Sequence, residues 1–290
     1  MSGKDWIRLA SLSLLWGGSF FFVAVALRGL PTLSVVWARV GLGAGFLALA
    51  LWISGTAFPR GARVWRALLG MGLLNNAVPF TLFVLAQGRI SGGMASILNA
   101  TTPLWGVVLA HLLTDEKITL PKLAGLACGF AGVVVMMGGA ALGDVWASLA
   151  CLGAAFSYGL AGVWGRRFRA LDVAPLATAF GQVASATALL LPLWLVVDQP
   201  WHLALPPLEV IAAVLAIAAF STALAYLIYF RLLASAGPSN LLLVTFLVPV
   251  SACLLGAVFL AEPIVARQLA GFGLIALGLV ALDGRVLKWL

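Results

Sequence analysis

Ten apolar segments follow one another along this chain, and each approaches the ~20 residues that a helix needs to cross a bilayer. Short connections rich in Gly, Pro or Arg separate them, for example Gly61-Ala62-Arg63 and Ala236-Gly237-Pro238. The predicted helices cover residues 5–27, 31–54, 64–88, 91–113, 119–140, 144–165, 174–197, 206–234, 238–260 and 267–287. No soluble domain fits between any two of them. The sequence therefore predicts an all-α integral membrane protein with ten transmembrane helices.

Composition excludes the soluble classes of protein. Of the 290 residues, 63% are hydrophobic and only 9% are charged, which is too few charges to cover a water-soluble surface. The net charge of +8 does not indicate nucleic-acid binding, because the basic residues stand between apolar runs rather than along one face. Cys128, Cys151 and Cys253 lie inside apolar runs and are interpreted as buried apolar residues. We expect the lipid bilayer as partner, and neither nucleic acid nor a cofactor.

The distribution of basic residues predicts the orientation in the membrane, because Lys and Arg are enriched on the cytoplasmic side. With the N-terminus in the cytoplasm, only Arg28, Arg89 and Arg267 lie at outer helix ends, while Arg39 lies inside helix 2. The inner helix ends hold Lys4, Arg8, Arg60, Arg63, Arg66, Lys117, Lys122, Arg166, Arg167, Arg169, Arg231, Arg285 and Lys288. This bias predicts that both termini are cytoplasmic (N-in/C-in) and that the number of helices is even.

The two halves of the chain repeat each other. At an offset of 146 residues, Pro103 matches Pro249, Glu116 matches Glu262, Gly125 matches Gly271, Gly132 matches Gly278, Asn75-Asn76 meets Ser221-Thr222, and Phe80 and Phe83 meet Tyr226 and Tyr229. At an offset of 143, Arg39 meets Gln182. Each half holds five helices, an odd number, so the second copy enters the membrane from the opposite side. We therefore expect two inverted repeats, 1–141 and 142–290, around a central cavity, an arrangement that is typical of secondary transporters.

These features resemble the drug/metabolite transporter superfamily, in its ten-helix EamA-type family. The residues that carry the resemblance are Leu15-Trp16-Gly17-Gly18-Ser19, Arg39 and the repeated Pro, Glu, Gly, Gly series. Within that family the chain is most similar to the aromatic amino acid exporters of bacterial inner membranes (YddG-type). That branch carries an aromatic residue before the helix 4 proline and a Trp early in helix 6, where this chain has Thr102 and Ser157. The resemblance thus implies an inner-membrane exporter with a broader amino acid range. A monomer without an obligate protein partner suffices, since both repeats are in one chain.

Three prolines inside helices indicate where backbone groups are free at membrane depth, since each removes the hydrogen bond to the carbonyl four residues earlier. Pro79 frees the carbonyl of Asn75, Pro103 that of Asn99, and Pro249 that of Thr245. Such groups need protein, water or ligand partners. One hypothesis is that they line a wet cavity and bind the substrate. The alternative is that each kink is satisfied locally by Ser, Thr or water.

Helical spacing places polar and aromatic side chains on shared faces. These faces hold Asn76, Phe80 and Phe83 in helix 3, Thr222, Tyr226 and Tyr229 in helix 8, and Ser13, Trp16 and Phe20 in helix 1. Such a wall suits a small amphipathic or aromatic solute, although packing alone produces similar stripes. The residues predicted to bind substrate are Trp16, Asn75, Asn76, Phe80, Phe83, Asn99, Thr102, Ser157, Tyr158, Thr222, Tyr226 and Thr245. The residues predicted to have a gating or structural role are Arg39, Pro79, Pro103 and Pro249.

Arg39 is an ionisable residue well inside helix 2, a position that indicates function by default. It could attract a substrate carboxylate, extend its charged end to the outer surface, or cap carbonyls at a helix end. The resemblance makes an arginine here a family feature, which favours a structural or gating role.

The acidic residues all fall near helix ends, and they are Asp5, Asp115, Glu116, Asp144, Asp172, Asp198, Glu209, Glu262 and Asp283. Proton-coupled exchange usually employs a carboxylate at the midplane. We therefore expect facilitated diffusion or exchange. The resemblance implies export of amino acids, aromatic and other neutral, or of related metabolites, by alternating access. The alternatives are export of cationic drugs or other metabolites, a proton-coupled antiporter and, more distantly, a channel.

An intramembrane enzyme is the rival from another class. Neither H-E-x-x-H nor G-x-S-x-G occurs in the sequence. His111 and His202 lie in segments too far apart to share a metal, and no acidic pair lies at a common depth for Mg²⁺. The sequence therefore indicates a transporter rather than an enzyme, with no metal site.

Overall fold

The computed structural model describes residues 2–118, 120–137, 144–241 and 243–283, and all regular structure within them is helical. The ten long helices of this part of the chain are α1 (Gly3–Ala26), α2 (Thr32–Ser54), α3 (Ala62–Gln87), α4 (Gly92–Leu113), α5 (Leu120–Met137), α6 (Val145–Trp164), α7 (Pro175–Val197), α8 (Leu208–Gly237), α9 (Leu243–Leu260) and α10 (Ala266–Asp283). Each corresponds to one predicted segment, and the predicted ends at residues 140 and 287 lie outside the described residues. The sequence was therefore right about the class of fold.

Length and hydropathy support membrane insertion. Seven of the described helices (α1 to α4 and α6 to α8) are each long and apolar enough to cross a membrane, while α5, α9 and α10 have 18 residues each. Large apolar side chains cover the outside of the bundle, and Trp52, Trp146 and Val258 are each more than 70% exposed. A surface of this kind requires lipid as its solvent.

Local signals begin and end the helices. Ser2 and Asp5 form a capping box at the start of α1, and the side chains of Ser91 and Asp144 accept hydrogen bonds from the first turns of α4 and α6. Helix α2 ends at Gly55, whose φ of 65° is left-handed and favours glycine.

Three helices change geometry in their interiors. Helix α3 contains a π-helical stretch, Leu73–Ala77, and α8 contains another, Ile217–Leu224. We call these the α3 π-segment and the α8 π-segment, and the repeat offset of 146 superimposes one on the other. Helix α4 is interrupted at Ala100 and Thr101, just before Pro103. These are the places where the backbone departs from the regular i to i−4 hydrogen bonding.

The helices pack in pairs that relate the two halves of the chain. Helix α1 packs on α9 and α8, while α6 packs on α4 and α3. Likewise α2 packs on α8 and α3 packs on α7. The pairs α2 with α7 and α5 with α10 join corresponding helices of the two halves. Exchanging the two five-helix halves leaves this pattern of pairs unchanged.

Ion pairs between helix ends agree with the predicted alternation of helices. Arg166, after α6, pairs with Glu116, after α4, at 2.9 Å, and Arg89, after α3, pairs with Asp144, before α6, at 3.4 Å. Each pair joins ends that the ten-helix topology places on one side of the membrane. One helix more or one fewer between the partners would place them on opposite sides of the membrane.

Candidate functional site

Arg39 extends from α2 into the interior of the bundle. Its side chain is buried, its Nε donates to Thr222 Oγ1 at 3.2 Å, and its guanidinium carbon lies 3.7 Å from the centre of the Phe80 ring. The arginine is therefore held by a hydroxyl and an aromatic face. The alternative that its charged end extends to the outer surface does not hold in this structure.

No carboxylate pairs with Arg39 among the residues that the structure describes. Its described contacts are with the neutral side chains of Thr222 and Phe80. A guanidinium has five N–H donors, and the contact with Thr222 uses one of them. The buried charge is thus oriented, and no described carboxylate neutralises it.

Gln182 forms the matching contact in the other half of the protein. It lies in α7, is 1% exposed, and its Oε1 accepts a hydrogen bond from Asn75 Nδ2 at 3.0 Å. Because Gln182 is the repeat counterpart of Arg39, each half sends one polar side chain to the π-segment of the other half. One of the two contacts is charged and the other is neutral.

Tyr226 connects the neutral contact to the rest of the site. Its hydroxyl accepts hydrogen bonds from Asn75 Nδ2 at 3.2 Å and from Asn76 Nδ2 at 3.1 Å. Asn76 is fully buried, and its Oδ1 has no hydrogen-bond partner among the residues that the structure describes. The central polar cluster, as we name it, consists of Arg39, Asn75, Asn76, Gln182, Thr222 and Tyr226. Its members come from α2, α3, α7 and α8.

The α3 π-segment also binds α6. Ser157 Oγ donates to the carbonyl oxygen of Leu74 at 2.7 Å. The wider turn of a π-helix leaves carbonyl oxygens available for such partners. Pro79 lies two residues after the last residue of this segment, Ala77. The N–H of the intervening Val78 donates to the carbonyl oxygen of Leu73, five residues earlier. The proline predicted to shape α3 therefore adjoins a π-turn rather than a simple kink.

Aromatic rings adjoin the central polar cluster. Trp16 and Tyr229 have ring centres 5.8 Å apart, and Phe83 lies 6.2 Å from Tyr158. Tyr229 in turn contacts Tyr226 at 6.4 Å. The predicted aromatic residues of α1, α3, α6 and α8 are thus brought together.

The predicted residues of α4 and α9 are placed differently. Thr102 Oγ1 donates to the carbonyl oxygen of Asn99 at 2.7 Å, so the carbonyl that Pro103 frees is satisfied by its own turn. No described hydrogen bond or ring contact joins Asn99, Thr102 or Thr245 to the central polar cluster. Pro249 lies inside α9, which continues as a helix through it. For the carbonyl of Asn99, the structure therefore agrees with the alternative in which a local Thr side chain satisfies the kink.

Some polar contacts were not among the predicted site residues. Gln182 entered the sequence analysis only as the counterpart of Arg39, although a buried amide in an apolar helix was itself a signal. Ser251 Oγ donates to the carbonyl oxygen of Ser13 at 2.8 Å, which joins α9 to α1. This contact depends on Gly17, because a Cβ there would overlap Ser251. Nothing in the local sequence reveals that pairing.

Two cavities described in the structure lie at the ends of the bundle. One, of about 470 Å³, lies where α3 begins and α6 ends, and the other, of about 290 Å³, lies where α4 and α10 begin. Neither contains a member of the central polar cluster, so the wet cavity predicted at the freed carbonyls is not one of them. No group of His, Cys, Asp or Glu suited to a metal ion occurs in the described part of the chain.

Comparison with known proteins agrees with this architecture. An uncharacterized transporter of Archaeoglobus fulgidus is 25% identical over 95% of this chain and 97% of its own length. The inner membrane transporter YedA of Escherichia coli K12 is 28% identical over 86% of this chain and 80% of its own, and YvbV of Bacillus subtilis is 27% identical over 93% and 88%. These names give no substrate, so specificity for aromatic amino acids is not confirmed.

A protein of known crystal structure has the same fold, with a TM-score of 0.74 and 20% identity over 99% of this chain and 100% of its own. The sequence pattern of the EamA-like transporter family matches twice, over residues 6–138 and 145–282. Together these two matches span nearly the whole chain. The chain therefore belongs to the EamA-like transporter family and is a multi-pass transporter of the bacterial inner membrane.

Proposed function

We propose that this transporter exports amino acids, aromatic and other neutral ones, or closely related small metabolites, by alternating access. The observation that carries the proposal is the buried, unneutralised charge of Arg39 beside a neutral hydrogen-bonding cluster. The two repeats, 1–141 and 142–290, are the parts that move relative to each other.

The charge of Arg39 favours a substrate with a carboxylate. A buried cation without an anion is destabilising by several kcal/mol. A substrate carboxylate removes that cost, because it can accept two parallel hydrogen bonds from the planar guanidinium. The same charge repels cationic drugs, which makes them the weaker alternative.

The rest of the cluster favours a zwitterion. Asn76 Oδ1 is a buried acceptor without a donor, and the ammonium group of an amino acid supplies three donors. An acceptor left unpaired in the interior costs about 1–3 kcal/mol. A molecule with both a carboxylate and an ammonium group therefore provides a partner for the Arg39 guanidinium and for Asn76 Oδ1.

The aromatic rings suit the side chain of the substrate. Trp16 and Tyr229 on one side, and Phe83 and Tyr158 on another, provide apolar aromatic faces, and the Trp and Tyr rings also carry a polar group. Such walls accept aromatic or aliphatic groups without demanding one shape. This supports a range of neutral amino acids rather than the aromatic ones alone.

The way in which the two halves are joined supports alternating access. The Arg39–Thr222 and Asn75–Gln182 contacts both cross from one half to the other, and they are related by the repeat. Opening toward one side of the membrane exposes the cluster to that side, and the repeat provides a second, equivalent opening toward the other.

Uptake into proteoliposomes of purified protein tests this proposal. Labelled Phe, Trp, Thr and Met are offered, and phenethylamine and 3-phenylpropionate compete with Phe. We expect saturable uptake, and weaker competition by either analogue than by unlabelled Phe, because each lacks one charged group. Absence of uptake for every amino acid, or equal competition by phenethylamine, would contradict the proposed substrate class.

A further inference from the structure

The larger of the two end cavities is separate from the central polar cluster. It lies at the end of the bundle that the basic residues place in the cytoplasm, and Arg63, Arg66 and Arg167 line it together with Ala67, Trp164 and Leu171. Its wall combines three arginines with a larger apolar surface. The transport site proposed above uses none of these residues.

Specific contacts hold this wall in place. Trp164 Nε1 donates to the carbonyl oxygen of Ala67 at 2.9 Å, and the ring packs on Gly70 so closely that a Cβ there would lie 2.6 Å from ring atom Cε2. The guanidinium carbon of Arg167 lies 3.5 Å above the same ring. The tryptophan therefore fixes α6 against α3 and orients one arginine.

The positive charge in the cavity is not neutralised by the described residues. Arg63, Arg66 and Arg167 form no ion pair in this part of the structure, whereas their neighbour Arg166 pairs with Glu116. Asp172, the acidic residue that follows Leu171, is exposed and likewise forms no described ion pair.

The start of α3 adds to this charge. Gly61 precedes α3 and supplies no side-chain cap, as is also the case for the residues before α2, α7 and α8. The free N–H groups and the helix dipole at this end favour an anion. The dipole thus acts in the same direction as the three guanidinium groups.

We propose that this cavity binds the phosphate group of an anionic phospholipid of the cytoplasmic leaflet. The three arginines contact the phosphate, and Ala67, Trp164 and Leu171 contact the glycerol and the start of an acyl chain. The apolar part of the wall favours a lipid over a soluble phosphate, and anionic headgroups are concentrated at this surface. Because the cavity joins α3 of the first half to α6 of the second, bound lipid holds the halves together at that end.

The test measures lipid binding by the purified full chain in detergent. Native mass spectrometry counts retained phosphatidylglycerol and phosphatidylcholine, and thermal unfolding gives the accompanying stabilisation. We expect phosphatidylglycerol to bind at least about tenfold more tightly than phosphatidylcholine, since each arginine near the surface contributes to the attraction.

Two variants separate this site from a general basic surface. The triple variant Arg63→Gln, Arg66→Gln, Arg167→Gln should lose the preference, and a double variant Arg60→Gln, Arg231→Gln, at exposed arginines of the same end that do not line the cavity, should keep it. Should the triple variant misfold, Trp164→Phe provides the second probe. It removes the hydrogen bond to Ala67 but leaves a ring, and it should reduce the preference for phosphatidylglycerol.

Three results would overturn the proposal. They are equal affinity of the wild type for the two lipids, an undiminished preference in the triple variant, and displacement of the lipid by inorganic phosphate at equal concentration. The last result would assign the cavity to a soluble phosphate compound instead.

Discussion

Single residues distinguish two contacts that the repeat otherwise makes equivalent. Arg39 and Gln182 occupy matching positions, and each reaches the π-segment of the opposite half. Only Arg39 carries a charge, so only that contact can attract an anion. For the amino acid substrate proposed above, this asymmetry would orient the carboxylate toward α2.

Arg39→Gln should weaken transport while preserving the fold. Glutamine can still bond to Thr222, as Gln182 does to Asn75, but it offers no charge. Because a charge-assisted hydrogen bond contributes about 1.5–3 kcal/mol, we expect the half-saturating substrate concentration to rise about tenfold or more. Uptake into proteoliposomes measures this. Arg39→Lys should retain part of the uptake activity, because it keeps the charge. Arg28→Gln, at an exposed helix end, should retain all of it. Unchanged uptake in Arg39→Gln would show that Arg39 does not belong to the binding site.

Tyr226→Phe should destabilise the protein. The substitution removes the hydroxyl that accepts from both Asn75 and Asn76 and leaves the Asn76 Nδ2 donor buried without that partner. We expect a loss of about 1–3 kcal/mol, the usual cost of an unpaired buried donor, observed as a lower unfolding temperature in detergent. Tyr229→Phe is the matched control, because no hydrogen bond of its hydroxyl is described; equal effects in the two variants would contradict this account.

The sequence could predict the members of the site better than their contacts. Asn75, Asn76, Thr222 and Tyr226 were identifiable because polar residues at helical spacing stand out in apolar runs. Their partners across the halves depend on tertiary packing, which no local pattern encodes. Asn99 shows the limit: proline chemistry predicted a free carbonyl, but a neighbouring hydroxyl satisfies it.

Helices supply the close approaches on which these contacts depend. A Cβ on Gly43 of α2 would lie 2.9 Å from Thr222 Cγ2, and a Cβ on Gly72 of α3 would lie 2.8 Å from Ser185 Cβ. Gly43 lets α2 approach α8 beside the α8 π-segment. Gly72 lets α3 approach α7 beside the α3 π-segment. The α8 π-segment contains no proline, so these wide turns do not require one, and no local sequence pattern indicates them.

Gly43→Ala should separate α2 from α8. The added methyl group meets Thr222, and overpacking of this kind costs about 1–3 kcal/mol. We expect a lower unfolding temperature together with reduced uptake, since the Arg39–Thr222 bond lengthens. Gly45→Ala, on the same helix but with no atom within 4 Å of the new methyl, should leave both measurements unchanged. A stable, fully active Gly43→Ala protein would show that this approach is not required.

At the scale of the whole molecule, periodicity and charge were sufficient to predict the architecture. Ten apolar segments and the bias of Lys and Arg defined the number and alternation of the helices, because the bilayer imposes length and sidedness on each segment. The packing of α5 on α10 and of α2 on α7 could not be deduced in this way. It depends on the shapes of surfaces far apart in the sequence.

The placement of the acidic residues leads to a prediction for the complete transporter. Several of them serve helix ends: Asp5 caps α1, Asp144 caps α6, and Asp198 accepts hydrogen bonds from Ser34 at the start of α2. The central polar cluster holds no carboxylate that could carry a proton between the two sides. We therefore expect amino acid uptake to be insensitive to a proton gradient.

Uptake into proteoliposomes also distinguishes a carrier from a channel. Preloading with unlabelled substrate should accelerate uptake of labelled substrate, because the return step of an alternating-access carrier is then made in the loaded state. A channel shows no such acceleration. Uphill accumulation driven by a pH difference would contradict facilitated transport, and it would direct attention to a proton-carrying group outside the central polar cluster.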